Sequence, residues 1–330
     1  MKAVVQEGYG PPEVLRLAEV PRPSAGKGEV LIRVAAAGVD RGTWHLMAGQ
    51  PYAVRLVLGL RRPRNPRVGL DVAGTVAAVG PGVTGFAVGD EVYGIAAGSF
   101  AEYAAARADR IVHKPARLGF EEAAVLAVSG LTALQGLRDV GRVRPGQRVL
   151  VLGASGGVGT FAVQVAKALG AEVTGVCSTA KAELVRSIGA DHVIDYTRSD
   201  FAAAGPRYDV ILDIGGSSSL SRLRRALAPR GTLVIAGGED DAGDWLGVRR
   251  QLRAVALSPF VRQRLAMLVA KTRRADLEAL NALVEAGRMT PVVGAAYPLA
   301  DVPEAVRRLA AGQARGKTAI TVRAVEPERP

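Results

Sequence analysis

One short segment constrains this chain more than any other: Gly153-Ala-Ser-Gly-Gly-Val-Gly159. It follows Arg148-Val-Leu-Val-Leu152, an apolar run of buried-strand length. After it, Val158, Phe161, Ala162, Val165, Ala166 and Leu169 recur at helical spacing, and Gly170 is placed to close the helix. Ala154, Gly156 and Gly159 fill the three small positions of a strand–turn–helix that receives a dinucleotide. Small residues there let the backbone turn sharply, admit a pyrophosphate to the helix N-terminus, and let helix pack on strand. The turn residues Ala154, Ser155, Gly156, Gly157, Val158 and Gly159 are therefore the expected cradle. A purely structural glycine turn is the minority alternative, because the flanking elements are right and a second strand follows at the right distance. No lysine stands at P-loop spacing, which disfavours an ATPase.

The surroundings extend this reading to a fold class. Val173-Thr-Gly-Val-Cys177, His192-Val-Ile-Asp195, Tyr208-Asp-Val-Ile-Leu-Asp213 and Thr232-Leu-Val-Ile-Ala236 alternate with helical stretches near 181–188 and 221–227. Repeated strand–helix–strand units predict an α/β fold with a doubly wound parallel sheet. Residues 1 to about 125 have a different texture, with short β-like runs such as Val30-Leu-Ile-Arg-Val34 and Val72-Ala-Gly-Thr-Val76 separated by glycine and proline turns. That texture fits a small, irregular β-barrel. The tail carries a helix with Leu277, Leu280 and Leu283 on one face, a capping-box-like Asp301-Val-Pro-Glu304, and a last strand at Ala319-Ile-Thr-Val322. A chain of 330 residues has room for two domains. The expected division is 1–125, 126–265, and 266–330 returning to the first domain.

Composition removes several function classes. One cysteine, Cys177, excludes an internal disulfide framework and a four-cysteine zinc site, and three histidines argue against a His-rich metal centre. The net charge is +12. Arginines cluster at 61, 62, 64 and 67 and again at 222, 224 and 225, but no aromatic residues interleave them as a nucleic-acid stacking platform requires. A solvated basic surface that helps gather an anionic cofactor is the preferred reading, with no nucleic-acid partner. The first residues turn polar too soon for a secretory segment, and no run of about 18 apolar residues exists to span a membrane. A cytoplasmic protein without a membrane partner is the expectation.

The end of the second strand bears on which dinucleotide binds. An NAD site expects an acid there, to hold the ribose 2′-hydroxyl. This strand ends in Cys177-Ser178-Thr179, with Lys181 close behind and no acid. Hydroxyls and an ammonium suit a 2′-phosphate, so NADPH is the expected cofactor. Ser178 capping the next helix and a solvated Lys181 are the structural alternatives, and both are compatible with that role.

With these residues in view, the chain resembles the medium-chain dehydrogenase/reductase superfamily, in its zinc-free quinone-oxidoreductase and enone-reductase branch. The resemblance runs through Asp40-Arg-Gly-Thr-Trp-His-Leu-Met47, Gly69-Leu-Asp-Val-Ala-Gly-Thr-Val76, Val88-Gly-Asp-Glu-Val92, Gly98-Ser-Phe-Ala-Glu-Tyr103 and Gly130-Leu-Thr-Ala133. It continues through the glycine turn, Gly189-Ala-Asp-His-Val-Ile-Asp-Tyr196 and Ala314-Arg-Gly-Lys317. The resemblance implies a GroES-like catalytic domain built from both chain ends, with a Rossmann domain between. It implies that Ser178, Lys181 and Tyr196 surround the 2′-phosphate, that Thr132 lies near the nicotinamide, and that Gly237 and Gly238 border the nicotinamide end. Lys317 is a further cofactor candidate, with plain surface as its alternative.

The departures bear on mechanism. Zinc-dependent relatives place a cysteine ligand where Asp40 stands and carry Gly-His-Glu where this chain has Gly69-Leu70-Asp71, so a zinc alcohol dehydrogenase is disfavoured. Within the zinc-free branch Asp40 and Thr43 are themselves unusual. Without a metal, a quinone or an α,β-unsaturated carbonyl is the easier acceptor, because added hydride gives a delocalised oxyanion. Asp40 is the candidate acid, with a carboxylate paired to Arg41 or capping a turn as an equal alternative. Tyr52 is placed to bond a substrate carbonyl or to act as a wall residue, and Thr43, Trp44 and His45 are candidate lining. His45 reads more readily as a hydrogen-bonded structural histidine. The expected function is NADPH-dependent, zinc-independent reduction. A cofactor-binding protein with negligible turnover is the alternative from another class, and an alcohol or carbonyl dehydrogenase is the weaker third. By analogy with relatives a homodimer is expected, with Thr232–Ala236 at the sheet edge.

Overall fold

The structure, a computed structural model, describes residues 1–203, 205–237 and 248–322. Two compact units divide the chain. One is Met1–Val128, Thr272–Glu285 and the described residues from Pro291 on; the other is Ser129–Lys271 with Ala286–Thr290.

In the second unit, six strands form one sheet: Arg148–Leu152, Glu172–Cys177, His192–Asp195, Tyr208–Asp213, Leu227–Ile235 and Arg264–Met267. Every pairing is parallel. Numbered along this unit, the spatial order is 3-2-1-4-5-6, so the chain reverses direction between its first and fourth strands. That reversal opens a crevice beyond their carboxyl ends, where open α/β sheets bind ligands. The strands are nearly continuous apolar runs because helices cover both faces. Leu150, Ile211, Leu223, Leu233 and Leu265 form one buried cluster, and each such side chain contributes roughly 1.5–3 kcal/mol by leaving water. The Gly157–Ala168 helix is buried from Gly159 to Ala166, and Gly170, at φ +82°, turns the chain out of it.

One expectation is corrected here. The run Thr232–Ala236 does not lie at the sheet edge. The strand Leu227–Ile235 is hydrogen-bonded on both sides, and Arg264–Met267 occupies the edge among the described residues. That last strand was not legible as one, and it belongs to the unit that includes Ser129–Lys271.

The first unit is built on a seven-stranded sheet. Its central pair is Glu29–Val39 and Asp71–Val79, antiparallel, with Gly38 opposite Asp71. Glu91–Ile95 and Ile111–His113 continue the sheet on one side, and Lys317–Thr321 and Val293–Pro298 on the other, while Tyr103–Arg107 also pairs with Glu29–Val39. The late strand Lys317–Thr321 runs antiparallel to Glu29–Val39, which ties the chain's tail to its first hundred residues. The cores hold Ile32, Val72, Val92 and Ile111 in one cluster and Val39, Met47, Phe100, Val306 and Ile320 in another. The tail helix spans Arg274–Glu285, and Gly287 follows at φ +67°. Asp301 makes no side-chain cap for the Val302–Ala310 helix; Glu304 pairs instead with Arg307 and Arg308. No helix among the described residues is long and apolar enough to cross a membrane.

Candidate active site

The glycine turn in the second unit is shaped by what its residues lack. The Gly157–Ala168 helix starts at Gly156 with no side-chain cap, so its first N–H groups have no side-chain acceptor. Gly159 is obligatory for packing: a Cβ there would lie 2.0 Å from the Gly153 carbonyl oxygen and 2.8 Å from the Ala154 Cα. Gly156 is different. Its nearest neighbour for a Cβ is the Gly153 oxygen at 3.4 Å, so the space beside it is open. Gly153, at φ +83°, faces Gly215 in the loop after the fourth strand, where a Cβ on Gly153 would meet only backbone and Ile214 at 3.4 Å or more. A backbone-lined cradle thus lies at the crevice, with an uncapped helix N-terminus at its rim. This is the chemistry a pyrophosphate needs, and the residues fit a dinucleotide. Ala154 and Ser155 are buried beneath it.

Gly237 follows the fifth strand; a Cβ there would fall 2.1 Å from the Ile214 oxygen. Its N–H donates to the Asp213 carbonyl and its own carbonyl accepts from Arg250 Nη2 at 2.9 Å. Asp213 is buried, and Arg250 Nη1 donates to its Oδ2 at 2.6 Å. Gly238 lies outside the described residues. Thr132 is half-buried in the Ala127–Leu134 helix.

After the second strand, Ser178 precedes a single turn at Thr179–Lys181 and makes no side-chain cap, which leaves its hydroxyl unspent on that turn. Lys181 is half-buried and Tyr196 is 59% exposed. The fold adds a group that sequence reasoning passed over. Asp195, at the end of the third strand, accepts a hydrogen bond from the Thr179 hydroxyl and two from Thr197. These bonds, Thr179's foremost, hold its carboxyl below the usual range, so it is ionised. An acid therefore does stand beside the second strand's end, contributed by the neighbouring strand; the clue was its place in Asp195-Tyr196-Thr197, an Asx-turn pattern. Cys177 is buried, and burial and then the charge of Asp195 push its thiol up, as suits a strand residue and not a nucleophile.

In the first unit, Asp40 sits at the N-cap of the Arg41–Ala48 helix and is 5% exposed. Its Oδ1 accepts the Thr43 N–H at 2.7 Å, so the capping role is real. Its Oδ2 is buried with no hydrogen-bond partner, and so is the Thr43 hydroxyl. His45 Nδ1 is 3.0 Å from the Gln50 carbonyl, a structural bond, and its ring meets Trp44 edge-on. Tyr52 is half-buried under the Arg55 guanidinium. Lys317 is not a surface group: it is 2% exposed and its Nζ donates to Asp71 Oδ2 at 3.2 Å. Asp71, fully buried, takes the Val128 N–H on Oδ1 at 2.8 Å. Burial first, opposed by Lys317 and aided by the charge of Asp40, pushes the Asp71 carboxyl up to about 7. Gly38 makes room for this group, since a Cβ there would be 2.9 Å from Asp71 Oδ2. Asp71 was legible only as the odd third residue of Gly69-Leu70-Asp71; its burial and its partner were not.

These residues do not fit zinc. Asp40 is engaged as a helix cap, Leu70 offers no donor atom, and Asp71 is held by an ammonium and a backbone N–H. Among the described residues no cluster of three or more His, Cys, Asp or Glu side chains is arranged to hold a metal.

Comparison with known proteins agrees with both units. Residues 26–116 match the alcohol dehydrogenase GroES-like domain family, and residues 188–320 match the family described as zinc-binding dehydrogenase. The chain is 35% identical, over 98% of its length and 89% of the relative's, to the mitochondrial NAD(P)H oxidoreductase RTN4IP1 of Bos taurus. The structure of the quinone oxidoreductase from Coxiella burnetii superposes with a TM-score of 0.87 at 28% identity, covering 98% of this chain and 99% of that one. A mycobacterial protein, Rv1454c, solved in complex with NADPH, gives 0.82 at 31% identity, covering 97% and 99%. A doubly wound sheet in the order 3-2-1-4-5-6, a GroES-like unit closed by the chain's tail, and relatives matched end to end place this chain in the medium-chain dehydrogenase/reductase superfamily, in its quinone-oxidoreductase branch.

Proposed function

We propose that this protein is a zinc-independent, NADPH-dependent oxidoreductase that reduces a quinone or an α,β-unsaturated carbonyl. The observation that carries the reading is the backbone cradle of Gly153, Gly156 and Gly215 beside an uncapped helix N-terminus at the sheet's reversal point. When bound there, the cofactor supplies a hydride from its nicotinamide ring. The first helical N–H groups after Gly156 take the pyrophosphate, and Gly237, anchored by Arg250, borders the nicotinamide. Thr132 belongs to the same end. Ser178, Lys181 and Tyr196 receive the 2′-phosphate, and a Ser178 hydroxyl not spent on a helix cap supports this. Asp195 is the specific observation that favours NADH instead, because an ionised carboxylate beside Thr179 repels a phosphate.

In the first unit, Asp40 holds the proton that follows the hydride, and Thr43, Tyr52 and His45 line the acceptor site. The Asp71–Lys317 pair supports zinc independence, because a resident ammonium already neutralises a carboxylate where a metal would need one. A conjugated acceptor follows, since hydrogen bonds suffice to hold a delocalised oxyanion. The functional unit is a homodimer; paired through this sheet it would join the edge strands Arg264–Met267.

The test is loss of NADPH absorbance with a naphthoquinone, an enone, an aromatic aldehyde and a simple ketone, each repeated with NADH and with a chelator. Turnover of quinone or enone, insensitive to chelator and faster with NADPH, is expected. Tight NADPH binding without turnover would leave a binding role. Fast, chelator-sensitive reduction of the ketone would overturn zinc independence.

A further inference from the structure

We infer that the end of the six-stranded sheet opposite the dinucleotide crevice holds a second anion site, which takes a small ligand carrying two or more phosphate groups. The inference stands apart from the cofactor reading and lies wholly within the second unit.

A concavity of about 570 Å³ opens at the amino ends of the first, fourth and fifth strands. Its lining includes Arg142, Arg144 and Arg230, with Asp209 as the acid among them. All three arginines are exposed, and none forms an ion pair with a described residue. Other arginines of this unit do find acids: Arg138 pairs with Asp139, Arg222 with Asp200 and Arg250 with Asp213. Three guanidinium groups therefore face one carboxylate, and Asp209 Oδ2 is already engaged by the Arg148 N–H at 2.8 Å.

Two irregularities of the backbone bring the arginines to one place. The helical stretch Gln135–Val140 ends at Gly141, which keeps helical angles, φ −68° and ψ −32°. Arg142 then takes φ +52°, the one positive φ outside glycine among the described residues. A helix end normally gives that conformation to glycine. Here the glycine is needed one residue earlier, since a Cβ on Gly141 would lie 2.9 Å from the Gly136 oxygen and 3.2 Å from Val210 Cγ1. Arg142 thus holds a conformation that costs a side-chain residue energy, and no ion pair within the chain offsets it. The helix dipole favours a cation at this end, yet Arg138 already supplies one from the last turn.

The second irregularity lies between the fourth and fifth strands. Tyr208 faces Leu227 and Val210 faces Thr232, so residues 228–231 bulge out opposite Asp209 and carry Arg230 with them. Gly231 closes the bulge, because a Cβ there would lie 2.9 Å from the Asp209 carbonyl oxygen. Gln263 Nε2 braces its start by donating to the Leu227 and Ala228 carbonyls at 3.3 and 3.4 Å. Val210 also pairs with Val149 on the first strand, and the loop before that strand is tied by the Arg144 N–H on Gln147 Oε1 at 2.9 Å.

The guanidinium fork matches phosphate oxygens, and three forks around one cleft suit an anion of more than one charge. No aromatic side chain lines the cleft to stack a base, so the ligand is read by its phosphates.

Isothermal titration of sodium tripolyphosphate into the full chain at low salt should show one ion bound per chain, with or without saturating NADPH. Arg142→Gly and Arg230→Gln should each weaken it about tenfold, the worth of one hydrogen bond to a charged group. In urea without the ion, Arg142→Gly should unfold no earlier than wild type, since glycine enters the left-handed region freely. Arg61→Gln, which removes an exposed arginine of the first unit, should leave the ion's affinity unchanged. No binding at low salt overturns the inference, as does binding lost once NADPH is added or wild-type affinity in both cleft variants. An equal loss in Arg61→Gln overturns it too, because net charge alone would then attract the ion. Earlier unfolding of Arg142→Gly would assign that arginine to the helix end instead. A single-stranded oligonucleotide held more tightly than tripolyphosphate by the same arginines would overturn the small-ligand assignment. Because the readout is the bound ion and not turnover, failure to reduce any acceptor counts against the reductase reading only.

Discussion

The two candidate sites of this protein work by opposite means. In the second unit, the candidate dinucleotide cradle is made by leaving side chains out. Gly153, Gly156 and Gly215 leave backbone lining the turn, and Gly159 lets a helix sit on it. In the first unit, the site is made by burying charge: Asp40, Asp71 and Lys317 lie where solvent cannot reach them. A cradle of backbone dipoles is rigid and indifferent to pH. A buried carboxyl is costly to ionise, and burial pushes that of Asp71 up to about 7. Each unit thus carries one of the two candidate sites.

The comparison can be broken most sharply at Asp71. Asp71→Ala strips Lys317 of its partner and leaves the Val128 N–H unpaired, so a loss on the order of 3–5 kcal/mol is expected in urea unfolding. Asp71→Asn, which keeps an oxygen for one of the two donors, should cost less. If the two variants unfold alike, the cluster is not held by charge.

Gly159→Ala comes next. Its Cβ would press on the Gly153 oxygen, which costs roughly 3 kcal/mol and abolishes NADPH binding in a fluorescence titration. Gly156→Ala has room within the chain, so the unfolding midpoint should hold while affinity drops about tenfold, about 1.4 kcal/mol. Equal damage to folding from both would mean that the open space beside Gly156 serves packing and not a ligand.

Lys181→Ala should weaken NADPH about tenfold, more at low salt, and leave NADH unchanged. Asp195→Asn should raise NADPH affinity by a smaller factor by removing the charge beside Thr179. Identical responses of the two cofactors to both changes would remove the 2′-phosphate from this end of the cradle.

A pH dependence of stability is the gentlest test. Burial raises the Asp71 carboxyl from 3.8 to about 7 in the folded protein. The folded state therefore binds more protons than the unfolded one between those values. The stability it contributes is complete below the lower value and is lost as pH rises through the upper one. Relative to Asp71→Asn, wild type should be less stable at pH 8 than at pH 5, measured by urea midpoints at the two values. The opposite slope would mean an ionised Asp71 in the folded state.

Much of this was legible in the residues themselves. The turn Gly153–Gly159, the apolar strand before it and the helical spacing after it are local patterns, and local sterics fix them wherever they occur. The alternation of strands and helices then forced a parallel sheet. Single residues were harder. Asp40 as a helix cap lies three residues from its acceptor's donor, Thr43, and so could be weighed in advance. The edge of the sheet could not, because Arg264–Met267 reads as no strand until the Leu227–Ile235 strand is there to pair with it.

The sequence by itself determined the cradle, since glycine's missing side chain acts within a few residues of backbone and needs no distant partner. It also determined which residue types a metal would have lacked. Only the tertiary structure decided the state of the charges. Lys317 is 246 residues from Asp71, and Asp195 comes to Thr179 only through the pairing of two strands. Burial and partnership set a carboxyl's proton affinity, and both are properties of what the fold brings near, which no spacing along the chain records.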